Sequence, residues 1–227
     1  MKRNVSITEI SNGKMYTSSE KVRLFCDDCD GCSACCNDMG DSIVLDPFDM
    51  HQLTRGAGIS FAELISKGII EINVKDYVLL PNFKMQDDDN SCYYLNAEGK
   101  CSIHGFRPGY CRLFPLGRIY QGGKFKYFHM DKECQKQKHK MIRIADWIGY
   151  ENTEEYECYV QIWHDLLKTV SDKADLIQNE QLQQIDIYIM QLFYEKEYGD
   201  DFFGEFRKRV ENENLKSILD ALKSMKR

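Results

Sequence analysis

The stretch Cys29-Asp30-Gly31-Cys32-Ser33-Ala34-Cys35-Cys36 decides how the rest of the chain is interpreted. It contains the spacing C-x2-C twice in succession and ends on a fourth cysteine. A short loop with this spacing can turn its thiolates toward one centre, because Gly31 relieves the tight turn and Ser33 and Ala34 are too small to obstruct it. The stretch therefore predicts a metal site with a small domain built around it.

The cysteines outside this stretch are unevenly spread. The chain has ten cysteines in 227 residues, five of them between positions 26 and 36, and none lies beyond Cys158. Disulfides are disfavoured because the chain shows no secretory signal, and buried inert cysteines do not account for a run of five. Ligation of a metal or an iron–sulfur cluster in a reducing compartment is favoured.

Composition excludes several classes of protein. Hydrophobic residues are 43% and charged residues 29% of the chain, which is typical of a globular protein. A net charge of −6 gives no reason to expect nucleic-acid binding. No apolar run is long enough to cross a bilayer, and Met1 to Glu20 is polar throughout, so we expect neither a membrane span nor a signal peptide. These features predict a cytoplasmic protein.

The spacing of the thiols leaves the identity of the metal open. Bacterial ferredoxins use C-x2-C-x2-C for three ligands of a [4Fe–4S] cluster and take the fourth from elsewhere. Mononuclear Zn2+ usually takes one C-x2-C pair and a second pair from a distant segment. Cys35 and Cys36 are adjacent, so we expect their side chains to point apart and to serve different ligand sets.

Further segments downstream add to the pattern. They are Cys92-Tyr93-Tyr94-Leu95, Gly99-Lys100-Cys101-Ser102-Ile103-His104, Arg107-Pro108 and Cys111-Arg112-Leu113-Phe114-Pro115. Together with the first cysteine run, these segments resemble the YkgJ-like CxxCxxCC cysteine-cluster family of zinc- or iron-chelating domains. The resemblance covers about residues 26 to 135.

The resemblance implies a ligand set and suggests an activity. The eight cysteines that match the family pattern by position are Cys29, Cys32, Cys35, Cys36, Cys92, Cys101, Cys111 and Cys134. The family includes flagellin lysine N-methylase, which implies a [4Fe–4S] cluster and/or Zn2+, S-adenosylmethionine and a protein substrate, with methyl transfer to protein lysines. The alternative is a non-enzymatic module, with structural zinc or an electron-transfer cluster, that mediates protein interaction.

Other residues near the cysteines have roles that are open at this stage. Cys26 and Cys158 are extra to the family pattern, although Cys26 continues the three-residue spacing backwards and could replace Cys29. Arg107 and Arg112 bracket Cys111, and their guanidinium groups suit either a carboxylate of substrate or cofactor, or neutralisation of thiolate charge. We favour neutralisation, because a tetrathiolate site is anionic. His104 is a further candidate ligand, no catalytic residue is evident, and five aromatic residues are expected to exclude water: Tyr93, Tyr94, Phe106, Tyr110 and Phe114.

Local signals predict an α+β fold in two parts. The first part, 1–135, is the cysteine-rich metal-binding domain with short strands and helices, and the second, 136–227, is an α-helical subdomain. Asp46 and the S-x-x-E box at Ser60 each predict the start of a helix. The strands are predicted at 22–25, 42–45, 69–74, 77–80, 116–120 and 124–128, and the helices at 47–55, 60–67, 133–144, 151–170, 179–198 and 202–225.

Overall fold

The computed structural model describes residues 7–25, 33, 36–131 and 139–225 of the chain. Within them the fold is α+β, with short antiparallel strands followed by a helical C-terminal region. The strands are β1 (Met15–Tyr16), β2 (Lys21–Phe25), β3 (Ile70–Lys75), β4 (Val78–Phe83), β5 (Leu116–Gln121), β6 (Lys124–His129) and β7 (His139–Arg143). The helices are α1 (Ile7–Ile10), α2 (Pro47–Ala57), α3 (Phe61–Ser66), α4 (Gly109–Leu113), α5 (Ile144–Ile148), α6 (Thr153–Ser171), α7 (Asn179–Met190), α8 (Phe202–Val210) and α9 (Glu213–Ser224).

Two antiparallel sheets hold the strands that are distant in sequence. The order β1-β6-β5 forms one sheet. Gln121-Gly122-Gly123 between β5 and β6 predicts a hairpin, and the chain does turn at Gly122 and Gly123. Strand β2 pairs with β7, from Lys21 opposite Arg143 to Phe25 opposite His139. The hairpin of β3 and β4 forms the remaining pair.

Helices α2 and α3 begin where the sequence predicts. Asp46 and Ser60 each accept the backbone N–H three residues ahead, and the side chains of Asp49 and Glu63 complete the two capping boxes. Gly56 and Gly58 are both expected to end helix α2 near Arg55. The helix continues through Gly56 to Ala57 and ends at Gly58, whose φ of 66° is left-handed.

The hairpin of β3 and β4 lies beside a third extended segment. The backbone N–H of Leu45 donates to Pro81 and that of Phe83 to Ile43, so residues 43–45 line the outer side of β4 as the predicted strand requires. Farther along the same edge, the N–H of Leu79 donates to the carboxylate of Asp186 on α7. Strand β4 is therefore central in this layer and β3 lies at its edge.

The predicted helix at 133–144 is wrong over residues 139–143. This segment is β7, because a ladder to β2 along its whole length supplies backbone hydrogen bonds that its helical composition does not reveal. Helix α5 then begins at Ile144. Residues 133–138 of that prediction lie outside the described part of the chain.

The C-terminal region is helical, as predicted, but it is divided differently. Helix α7 passes into a π-helical turn, Gln191–Glu195. The predicted helix 202–225 is two helices, because Asn212 lies between them and its side chain accepts the N–H groups of Asn214 and Leu215 at the start of α9.

One hydrophobic core runs through the described residues. It includes Leu24 of β2, Leu53 of α2, Phe83 of β4 and Phe206 of α8, each at most 2% exposed. The boundary predicted at residue 135 stays a prediction. No helix of the described residues is both long and apolar enough to span a membrane.

The charge run Arg207-Lys208-Arg209 is typical of a solvated helix face, but one of its residues is buried. Arg209 of α8 is 6% exposed. Its guanidinium donates to the carbonyls of Leu192, Lys196 and Glu197. These residues lie in or just after the π-helical turn that follows α7. Arg209 therefore caps this turn.

Candidate metal centre

Backbone pairing brings three of the predicted cysteine ligands into one region. The N–H of Cys92 donates to the carbonyl of Cys36 over 2.7 Å, and Leu95 forms a β-bridge with Cys101. The sequence Asn96-Ala97-Glu98-Gly99 predicts a hairpin turn, and the turn is present, because the N–H of Gly99 donates to the carbonyl of Asn96. The segments around Cys36, Cys92 and Cys101 are thus tied together by main-chain contacts.

The Cys36 and Cys101 side chains are in direct contact. A hydrogen bond from the Cys36 thiol is the largest of the effects that lower the pKa of Cys101 to about 6. A backbone hydrogen bond from Ile103 and the positive charge of Arg107 also lower this pKa, whereas burial raises it. Cys36 is buried and Cys101 is half-buried. Cys101 is therefore a ready thiolate donor, and thiolates are the form in which cysteine binds metals.

The cysteine run leads directly into this pair. The N–H of Cys36 donates to the carbonyl of Ser33 over 2.8 Å, and the side chain of Asn37 donates to the same carbonyl. Cys29, Cys32, Cys35 and Cys134 lie outside the described residues, as does Cys26. Among the described residues alone, no group of three or more Cys, His, Asp or Glu side chains is placed to hold a metal.

The two predicted arginines have different surroundings. Arg107 contacts the ring of His104 through Nη1, and its charge acts on Cys101. Arg112 donates to the carbonyl of Gly105 over 2.9 Å and lies over the ring of Tyr150, 4.8 Å from its centroid. Arg107 therefore belongs to the thiol region, whereas Arg112 fastens the chain between Cys101 and Cys111.

Helix α2 supports the segment that carries Cys101 and Cys111. The N–H of Gly109, the first residue of α4, donates to Oδ1 of Asp49 over 2.7 Å. The Phe106 ring packs closely on Gly56: a Cβ added at Gly56 would lie 2.4 Å from the nearest ring atom of Phe106. Residues 106 and 109 are therefore both fixed to α2, on either side of Arg107.

Sequence reasoning missed Asp49. It is 3% exposed, and burial together with the nearby Asp46 carboxylate raises its pKa well above the ordinary value. The capping pattern D-x-x-D at the start of α2 was the available signal, but the contact with Gly109 joins residues far apart in the chain and has no local signature.

The aromatic residues expected to exclude water differ in exposure. Tyr94 is buried and packs against Phe83, with 5.7 Å between ring centroids, whereas Tyr93 is 50% exposed. Burial raises the pKa of the Tyr94 hydroxyl to about 12. Cys158, predicted to be incidental, is exposed on α6.

A family model identifies the segment around these thiols. The model CxxCxxCC, described as "Putative zinc- or iron-chelating domain", matches residues 28–142, just over half of the 227 residues. The chain belongs to this family. Searches of curated proteins and of solved structures found no match to it.

The CxxCxxCC chain offers donors that suit the metals in the family's description. Soft thiolates select zinc and iron–sulfur clusters, whereas Mg2+ and Ca2+ prefer carboxylate and carbonyl oxygens. Cys36 and Cys101 supply such donors at one point, with the positive charge of Arg107 beside them. The residues present therefore fit a thiolate-bound metal.

Proposed function

We propose that this chain chelates zinc or an iron–sulfur cluster through thiolates of its cysteine run together with Cys36, Cys92 and Cys101. The observation that carries the proposal is the contact between the Cys36 and Cys101 thiols, which joins the end of the cysteine run to a segment far along the chain. Cys29, Cys32, Cys35, Cys111 and Cys134 complete the proposed ligand set by their match to the family pattern.

The metal would cross-link a part of the chain with little regular structure of its own. Between β4 and α4, the described chain is held by isolated β-bridges, turns and the 3-10 turn His104–Phe106. Binding of a metal by ligands from 26–36 and 92–111 would fix these segments together, and its binding free energy would add to the free energy of folding.

The contacts of the two arginines fit a chelating module. Arg112 donates to Gly105 and lies on Tyr150, while the charge of Arg107 acts on the Cys101 thiol. We therefore assign Arg107 to neutralisation of thiolate charge and Arg112 to support of the loop.

Cysteine variants test the chelation. Cys36→Ser and Cys101→Ser, purified without oxygen, should each retain less metal per chain than the wild type, because serine is a poor ligand for zinc and iron. Cys158→Ser is the matched control and should retain the wild-type amount. Unchanged metal content in both test variants would refute the ligand assignment.

A separate measurement tests the choice between module and enzyme. Calorimetric titration of S-adenosylmethionine into the metal-loaded protein should give no binding heat if the chain is a chelating module. Saturable binding of one equivalent of S-adenosylmethionine, followed by methylation of lysines in a protein substrate, would establish the enzymatic alternative. This outcome would not contradict the proposal that the chain chelates a metal.

A further inference from the structure

Strand β3 has one edge that no strand of the described chain covers. Lys75 and Val78 flank the tight turn of the hairpin, Asp76 and Tyr77, whose φ angles are 47° and 70°. In such a hairpin the flanking pair is hydrogen-bonded, so Lys75 and every second residue before it face β4. The N–H and C=O groups of Ile72 and Val74 consequently point away from β4, toward the open edge.

The side chains along this edge are unusually apolar. Val74 is 64% exposed and Ile72 is 38% exposed, and they alternate with polar residues on the other face of the strand. Tyr77 in the turn and Ile65 at the end of α3 are also exposed, at 49% and 39%. Protected edge strands usually carry prolines, bulges or outward charges, and β3 has none of these at Ile72 or Val74.

The sequence of β3, Ile-Glu-Ile-Asn-Val-Lys over 70–75, is complementary to itself in one antiparallel register. With Asn73 on a two-fold axis, Ile72 of one copy lies opposite Val74 of the other, and both present their backbone groups to each other. In the same register Glu71 lies opposite Lys75, once on each side of the axis. A closed two-fold dimer needs such an isologous match.

The existing partners of the two charged residues leave room for these pairs. The Lys75 ammonium contacts Asp41, and Oε1 of Glu71 accepts from Asn73 and Asn82. A lysine ammonium has three donors and a carboxylate has a second oxygen, so each group can take another partner.

We propose that two copies of this chain associate through antiparallel pairing of their β3 strands, with Ile72 opposite Val74 and Glu71 opposite Lys75. The layer of residues 43–45, β4 and β3 then continues across the axis into the same layer of the second copy. Backbone hydrogen bonds, apolar cross-strand pairs and two ion pairs hold the interface.

Charge reversal at the two paired positions tests this register. The full-length, metal-loaded protein should sediment at twice the mass of one chain. Lys75→Glu and Glu71→Lys should each weaken dimerisation by roughly 100-fold, because like charges then meet on both sides of the axis. An equimolar mixture of the two variants should form a heterodimer, since each ion pair is restored with opposite polarity. Lys216→Glu on α9 is the matched control and should stay dimeric.

Hydrogen exchange provides a readout that does not depend on the variants folding well. In the wild type, the amides of Ile72 and Val74 should exchange more slowly at concentrations where the dimer forms than after dilution. A wild type that stays monomeric, dimers that persist in both single variants, a mixture that stays monomeric, or exchange independent of concentration would each overturn the proposal.

Discussion

At the scale of single residues, burial changes the ionisation of Asp186. This side chain is 4% exposed and accepts the N–H of Leu79, and its buried Oδ1 has no hydrogen-bond partner among the described residues. Burial raises its pKa from 3.8 to about 6. The folded chain therefore binds this proton more tightly than the unfolded chain does, so the stabilisation from Asp186 is full below pH 4 and is lost as the pH rises through about 6.

Asp186→Asn should remove this pH dependence. The amide oxygen can still accept the N–H of Leu79, but the side chain no longer ionises. We expect the free energy of unfolding of the variant, relative to the wild type, to rise by about 1–2 kcal/mol between pH 4 and pH 7. Urea unfolding of both proteins across this range measures it. Asp175→Asn, at an exposed position, is the control, and a constant difference for Asp186→Asn would contradict the assignment.

At the scale of elements, helix α2 is the platform for the segment that carries the downstream cysteines. Asp49 holds the start of α4, and Gly56 admits the Phe106 ring. Gly109 is required at the contact, because a Cβ there would lie 2.9 Å from the Tyr156 hydroxyl and 3.4 Å from Oδ1 of Asp49. The position of Cys111 thus depends on packing against a helix that lies much earlier in the sequence.

Gly109→Ala should separate α4 from α2. We expect a loss of about 1–3 kcal/mol in the free energy of unfolding from overpacking, together with weaker metal retention. Urea unfolding and metal analysis of the same preparation measure both effects. Gly105→Ala is the matched control, because a Cβ at Gly105 would have no atom within 4 Å. Equal stability and metal content in the two variants would argue against α2 as the platform.

The elements that could be predicted from the sequence are those set by local contacts. The capping boxes at Asp46 and Ser60 and the glycine turn between β5 and β6 are determined by near neighbours in the chain, and each is present. The strand at 139–143 could not be predicted, because its partner β2 lies close to the N-terminus, far from it in sequence. The contact of Asp49 with Gly109 and the burial of Arg209 likewise depend on distant partners.

The candidate site likewise has features that could be predicted from the sequence and features that could not. The spacing of the cysteine run and the turn at 96–99 point to the thiol region from sequence alone, and the structure brings Cys36 and Cys101 together there. The different surroundings of Arg107 and Arg112 could not be predicted, because their partners His104, Gly105 and Tyr150 are selected by how the loop folds.

At the scale of the whole molecule, the metal should stabilise one part of the chain more than the other. The described cysteine segments lie among turns and isolated bridges, whereas α6 to α9 form a helical region rich in buried aromatic side chains. Removal of the metal by a chelator under reducing conditions should therefore speed amide exchange in residues 84–113 far more than in α6. Equal changes in both segments would contradict a local structural role for the metal.

Metal analysis of the wild-type protein, purified without oxygen, tests the central claim most directly. We predict at least one zinc ion or one iron–sulfur cluster per chain, and absorption in the visible range with acid-labile sulfide if the centre is a cluster. Wild-type protein that is folded, binds neither zinc nor iron on reconstitution, and has all its cysteines free to react with a thiol reagent would contradict it.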